Sequence, residues 1–212
     1  MKFEYTIPNF LTIFRVLLVP LIILLILYSS PGNLLAALLV YGLSAITDAL
    51  DGYLARKLNQ SSEFGAYFDP IADKILVWSL YLLFCFKTEL MIPFFLVIFI
   101  YIRDIFITFL RNYSKRINVI FKTSFIAKAK TMIQMNVIAL ILIYMLLTEF
   151  LAGIYKIPSR HYEDIWKYLI GDNYQLIIFV PLALTIITVL FTIYTGVDYY
   201  LSFKKIKDAK NG

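Results

Sequence analysis

Residues 48–73 read DALDGYLARKLNQSSEFGAYFDPIAD, and this stretch decides how the rest of the chain is read. Asp48 and Asp51 lie three apart, followed by Gly52, Ala55 and Arg56; Gly65, Asp69 and Asp73 then recur at four-residue spacing. At a helical 100° per residue, Asp48, Asp51, Gly52, Ala55 and Arg56 fall within one sector, and Gly65, Asp69 and Asp73 make a second on the helix that follows. The flanks are apolar: LLAALLVYGLSAIT before and ILVWSLYLLFCF after. Carboxylates thus converge from the ends of two helices built to lie in a bilayer.

Such carboxylates are costly in a membrane and face a cavity, a partner or an ion. A group of them repels itself unless cations neutralise it. All-oxygen donors suit a hard divalent ion, and Mg²⁺ shares its shell readily with substrate phosphates. Gly52 and Gly65 carry no side chain, so a bulky ligand has access to the backbone there. The pattern therefore predicts metal-assisted phosphate chemistry. The bland alternative, helix-end charges paired with Arg56 and Lys57, accounts for a lone acidic pair but not for the whole spaced set.

Composition sets the class. The 212 residues are 61% hydrophobic and 16% charged, above the roughly 45–50% apolar share of soluble domains. Several runs approach the ~20 residues that span a bilayer. We expect one polytopic all-α domain over residues 1–212, with a polar cavity at one membrane face. The formal charge of +6 does not indicate nucleic acid, because the basic residues flank apolar spans and read as topology signals and contacts to anionic lipid. Cys85, the single cysteine, excludes an intrachain disulfide, and His161, the single histidine, reads as an incidental loop residue.

The spaced pattern D-x2-D-G-x2-A-R-x8-G-x3-D-x3-D resembles the signature of the CDP-alcohol phosphotransferases. These membrane enzymes move a phosphatidyl or similar group from a CDP-linked donor to an alcohol and release CMP. Other stretches resemble the phosphatidylglycerophosphate synthases within that family: IPNFLTIFRVLLVP at 7–20, Arg103-Asp104 followed by Leu110-Arg111, and Ala127-Lys128-Ala129-Lys130-Thr131 with Gln134. Asp104 stands where Glu is usual, and Ala127 where Gly is usual.

Six transmembrane helices are predicted, roughly 10–29, 33–58, 64–86, 91–112, 127–149 and 174–202. The first lacks a convincing cleavage site and reads as a retained span. Arg15 inside it has two readings, snorkelling to the interface or, by the resemblance, facing donor phosphates with Asn9 and Thr12. Residues 111–131 hold six Lys or Arg and no acid, which fits a cytoplasmic loop under the positive-inside rule. The connection 150–173 has room for a short interfacial helix, and Asp198 reads equally as a partner of the acceptor site or as an interface residue. Basic loop 111–131 and the basic tail place both termini, and the signature, on the cytoplasmic side of the cell membrane.

The resemblance implies that CDP-diacylglycerol and glycerol 3-phosphate yield phosphatidylglycerophosphate and CMP, in a homodimer surrounded by membrane lipids. Asp48, Asp51, Asp69 and Asp73 would hold one or two Mg²⁺ (or Mn²⁺) ions, with Asp73 also the general base. Gly52, Ala55, Arg56 and Gly65 would shape the donor site together with Asn9, Thr12 and Arg15. Arg103, Arg111, Lys128 and Thr131 would take the acceptor phosphate. Cardiolipin synthase, or the same chemistry with another alcohol, is the nearest rival. An ion-coupled transporter would want broken helices near the midplane and internal symmetry, which the sequence lacks. A purely structural scaffold leaves the spaced carboxylates without a reason.

Overall fold

A computed structural model describes residues 6–57, 63–117, 125–157 and 161–211, with side chains except at 7–8, 49–57, 63–67, 69–70, 73, 115, 125–128 and 208–211. The described residues are all-α. Helices α1 (Ile7–Leu27), α2 (Pro31–Lys57), α3 (Glu63–Phe86), α4 (Phe94–Arg116) and α5 (Phe125–Ile154) are followed by the short α6 (Tyr162–Ile170) and α7 (Gln175–Ile178), then by the long α8 (Val180–Asn211).

Local chemistry sets the helix ends. Thr6 caps α1, its hydroxyl accepting from the Asn9 amide at 3.4 Å, and Pro8 follows in the first turn where no N–H partner is needed. Pro20 lies inside α1 and removes the bond its N–H would give to Val16, yet the helix continues to Leu27. In an apolar solvent the helix has no better alternative, so the defect is tolerated. The α1–α2 turn is short: Ser30 accepts from the Asn33 amide at 3.2 Å and opens α2. Gly171, at φ +66°, ends α6 in a conformation that costs other residues a Cβ clash.

The bundle is organised around α1, which packs on both α2 and α3; α5 joins α2 to α8, and α4 lies between α3 and α8. Leu34, Leu76, Leu80, Tyr81, Phe84, Ile138 and Ile141 are fully or almost fully buried in the shared core. A smaller cluster, Ile107 and Leu110 with Tyr199 and Phe203, zips α4 to α8 near their far ends. The outside is equally apolar. Leu17, Leu39, Ile102, Phe109, Leu176 and Leu190 are each more than half exposed, a surface suited to lipid tails and not to water.

Three described stretches, Asn9–Leu27, Ala129–Ile154 and Tyr162–Lys207, are long and apolar enough to cross a bilayer. Helices α2, α3 and α4 have the length, at 27, 24 and 23 residues, but charges interrupt them. In α3 the described apolar stretch is Lys74–Phe86. The chain is thus a membrane protein with several apolar helices. Several helix boundaries differ from those predicted. The fifth helix runs on to Ile154, because Leu151 and Ala152 extend the apolar face beyond Glu149. The last begins at Val180, with Pro181 in its opening turn, and the preceding residues form the separate α7. The connection between them contains α6, tied to α5 by Trp166 donating to the Thr148 hydroxyl at 3.2 Å and by Tyr144 stacked on Trp166.

Leu80→Ala should lower detergent-solubilised stability by about 2–5 kcal/mol, as expected for a fully buried leucine, whereas Leu39→Ala, 61% exposed, should change it by well under half of that. Thermal unfolding followed by tryptophan fluorescence would measure both; equal losses would show that the lipid-facing and core assignments are reversed or blurred.

Candidate active site

Three polar residues of α1, Asn9, Thr12 and Arg15, follow one another at three-residue intervals and therefore share a face. All three are buried, at 1% exposure each. Arg15 does not snorkel. Its Nη1 lies 2.6 Å from Asp48 Oδ1, so the first acidic residue of the signature is clamped from α1. Asp48 keeps 36% of its side chain exposed, which leaves it open to a further ligand. A buried guanidinium needs such a carboxylate, because an unpaired charge in this surrounding would cost several kcal/mol.

Asp51, Gly52, Ala55 and Arg56 continue along α2, and Gly65, Asp69 and Asp73 lie along α3. Their side chains fall outside the described ones, as does that of Lys128 near the start of α5. Among the described residues no three His, Cys, Asp or Glu side chains gather into a metal site. The donor set nonetheless fits a hard cation by its chemistry: Asp48 offers a half-open carboxylate, and the other three signature acids are of the same oxygen type.

A second charged centre lies among α3, α4, α5 and α8. Asp104, 5% exposed, stands in an otherwise apolar stretch of α4. Lys130 of α5 donates to both of its oxygens, at 2.5 and 2.6 Å. Arg103 Nη1 reaches Oδ1 at 3.2 Å, and the Trp78 indole of α3 reaches Oδ2 at 3.4 Å. Arg103 Nη2 also donates to the Thr195 hydroxyl of α8 at 2.9 Å. Helix α8 can come this close because residue 196 is glycine; a Cβ there would meet Arg103 Cγ at 3.1 Å and Nε at 3.2 Å. Lys74, adjacent to the last signature aspartate, donates to the Thr108 hydroxyl at 2.6 Å, and Thr108 donates to the Asp104 carbonyl at 2.7 Å.

This centre contains three cations, Lys74, Arg103 and Lys130, bonded directly or through Thr108 to the one residue Asp104. Arg111, two turns along α4, is exposed but near enough for its charge to act on Lys74 and Arg103. Thr131 is half-buried next to Lys130. The balance is positive, as an anion site requires. The buried Gln134 amide nitrogen and Arg103 Nε have no hydrogen-bond partner among the described residues.

Sequence reasoning placed Arg103 and Arg111 in this region but left the partner of Asp104 open and passed over Lys74 and Trp78. The signal for Lys130 was weak, because Arg103 beside Asp104 in FFLVIFIYIRDIFITFL already offers a counter-charge. The choice among the lysines at 128, 130 and 74 depends on helix rotation, which spacing alone does not give. Asp104→Ala should cost about 3–5 kcal/mol, because Lys130 is left buried without its partner. Adding Lys130→Met should restore part of that loss. A double-mutant cycle by thermal unfolding reads the coupling, and strict additivity would contradict the pairing.

The family profile described as "CDP-alcohol phosphatidyltransferase" matches residues 5–194. The chain is similar to the CDP-diacylglycerol–glycerol-3-phosphate 3-phosphatidyltransferase of Rickettsia bellii, at 32% identity over 206 residues, covering 97% of this chain and 99% of that one. It is 31% identical to the Rickettsia felis protein of the same name over 207 residues, again 97% of this chain and 99% of the other. The Escherichia coli K12 protein of that name is 46% identical over 74 residues, 35% of this chain and 41% of its own. With the match spanning nearly its whole length, this chain belongs to the CDP-alcohol phosphatidyltransferase family.

Proposed function

We propose that the protein transfers the phosphatidyl group of CDP-diacylglycerol to glycerol 3-phosphate, giving phosphatidylglycerophosphate and CMP. The observation that carries this reading is the likeness, along almost the full chain, to relatives named for that reaction. The positive centre beside the signature helix supports a phosphorylated acceptor. A single membrane domain of six spans, with the signature and both termini on the cytoplasmic side, puts the site where nucleotide donors and glycerol 3-phosphate occur. A homodimer is the expected assembly.

On the donor side, Asp48, Asp51, Asp69 and Asp73 would hold one or two Mg²⁺ or Mn²⁺ ions. When bound, such ions neutralise the CDP pyrophosphate and the charge growing on CMP as it leaves. Arg15 holds Asp48 in place, while Asn9 and Thr12 present hydrogen-bonding groups on the same face. Gly52, Ala55 and Gly65 leave space for the nucleotide, and Arg56 supplies a charge against its phosphates.

On the acceptor side, Arg103, Arg111, Lys128 and Thr131 bind the phosphate of glycerol 3-phosphate. Asp104 fixes the direction of Arg103, and Lys130 balances Asp104 so that Arg103 is not fully neutralised by it. Asp73 takes the proton of the attacking hydroxyl. The new bond forms from that oxygen to the β-phosphorus, and the bond from the same phosphorus to the CMP oxygen breaks. Lys74 sits one residue from Asp73 and reaches Thr108, which keeps the base-bearing turn of α3 in register with the acceptor helix.

CMP release from CDP-diacylglycerol by purified protein should occur with glycerol 3-phosphate, fail with phosphatidylglycerol, inositol phosphate or serine, and stop on chelation of divalent ions. Release with phosphatidylglycerol instead would assign the protein as a cardiolipin synthase. Asp73→Asn should reduce turnover by about 10²–10⁴-fold with donor binding retained, the range for loss of a general base; full activity would remove Asp73 from that role. Lys128→Ala should raise the KM for glycerol 3-phosphate about tenfold or more and change that for CDP-diacylglycerol little, since a charge-assisted contact to only one substrate is lost. Equal weakening of both would undo the acceptor assignment.

A further inference from the structure

Helices α3 and α4 are laced together by side-chain bonds at matching intervals. The Trp78 indole donates to the Asp104 carboxylate at 3.4 Å, and Lys74 Nζ donates to the Thr108 hydroxyl at 2.6 Å. A step of four back along α3 thus meets a step of four on along α4, so the two helices run antiparallel. By the same register the next turn of α3, at Pro70 and Ile71 between the last two signature aspartates, lies opposite Arg111. Thr108 and Arg111 are three residues apart and share a face of α4, about 4.5 Å from each other along the axis.

Lys74 is half-buried and Arg111 exposed, so this end of the ladder is accessible. The Lys74 ammonium has three N–H groups and uses one on Thr108. Among the described residues neither Lys74 nor Arg111 forms an ion pair. Asp104 is in no position to neutralise them: Lys130 bonds both of its oxygens, and Arg103 and Trp78 bring a further donor to one oxygen each. Arg103 Nε and the Gln134 amide nitrogen, without partners among the described residues, are donors as well. What this neighbourhood lacks is an anion, and the cations with unused donors stand at its open side. A lysine that served only as a topology signal would extend to water; Lys74 is instead turned onto α4 by Thr108.

We propose that Lys74 is a specificity-determining residue, which together with Arg111 grips the acceptor's phosphate and selects a phosphomonoester over a phosphodiester. The assignment rests on the glycerol 3-phosphate reading above. Two cations brought by different helices match the two charges of a monoester dianion. A diester has one charge and a substituent in place of the other, so one cation is left unmatched and crowded. Lys74 keeps its bond to Thr108 and gives a second N–H to the phosphate. Because it directly follows Asp73, phosphate recognition and placement of the base share one turn of α3.

Steady-state kinetics with glycerol 3-phosphate and with its methyl phosphodiester, on the full-length protein with CDP-diacylglycerol, test this in three variants. Lys74→Met and Thr108→Val both remove the bond between α3 and α4, but only the first removes the charge. Lys74→Met should raise the KM for glycerol 3-phosphate about tenfold or more, the scale of a lost charge-assisted contact, and leave that for CDP-diacylglycerol little changed. It should narrow the preference for monoester over diester by a similar factor. Lys74→Arg should restore most of both, and Thr108→Val should keep the wild-type preference. Equal losses in Lys74→Met and Thr108→Val would assign Lys74 to helix register alone and overturn the proposal, as would a monoester preference that Lys74→Met leaves intact. Wild-type protein that releases CMP with neither compound would overturn the glycerol 3-phosphate reading itself, and this proposal with it.

Discussion

A charge that enters an apolar bundle has to bring its counter-charge with it, and Asp104 is where this constraint is strictest. It is nearly inaccessible, yet α3, α4, α5 and α8 all converge on its immediate neighbourhood: Trp78 and Lys130 bond its carboxylate, and Arg103 links it to Thr195. Hydrocarbon packing would allow these helices to slide or rotate at small cost. A carboxylate with fixed donors does not, since leaving any of them unpaired in low dielectric is expensive. The apolar core holds the bundle together; the polar centre decides which rotation of each helix is the native one.

The same logic operates at Arg15 and Asp48, with a difference in exposure. Arg15 is buried while Asp48 remains partly open. The pair therefore serves α1 as an internal anchor and still leaves part of the Asp48 carboxylate accessible. Asp104 has no such open edge. One acid is thus suited to meeting a ligand and the other to holding the residues that meet one, although both stand in otherwise apolar helices.

Much of this was legible in the sequence, for identifiable reasons. The spaced aspartates and glycines between 48 and 73 work by backbone periodicity, and periodicity survives in one dimension. So do the apolar runs and the prolines at helix starts. Asn9, Thr12 and Arg15 were grouped through the family resemblance of residues 7–20, but their burial was not legible, since an arginine at that position serves equally well at an interface. The Asp104–Lys130 pair joins residues 26 apart through the rotation of two separate helices, and no local pattern encodes that. The position of α6 against α5 similarly rests on the Trp166–Thr148 bond, which only the folded chain brings within reach.

Gly196 shows how narrow the permitted sequence is at such a junction. The Arg103 side chain lies against it, so that a Cβ added there would sit 3.1 Å from Cγ and 3.2 Å from Nε, closer than most such contacts. Replacing the glycine first would push the arginine from Thr195; shortening the arginine first would leave a void beside α8. Neither order of change passes through a comfortable intermediate. The two positions are interlocked, so drift at either is blocked unless both move together, and the junction holds its own sequence in place.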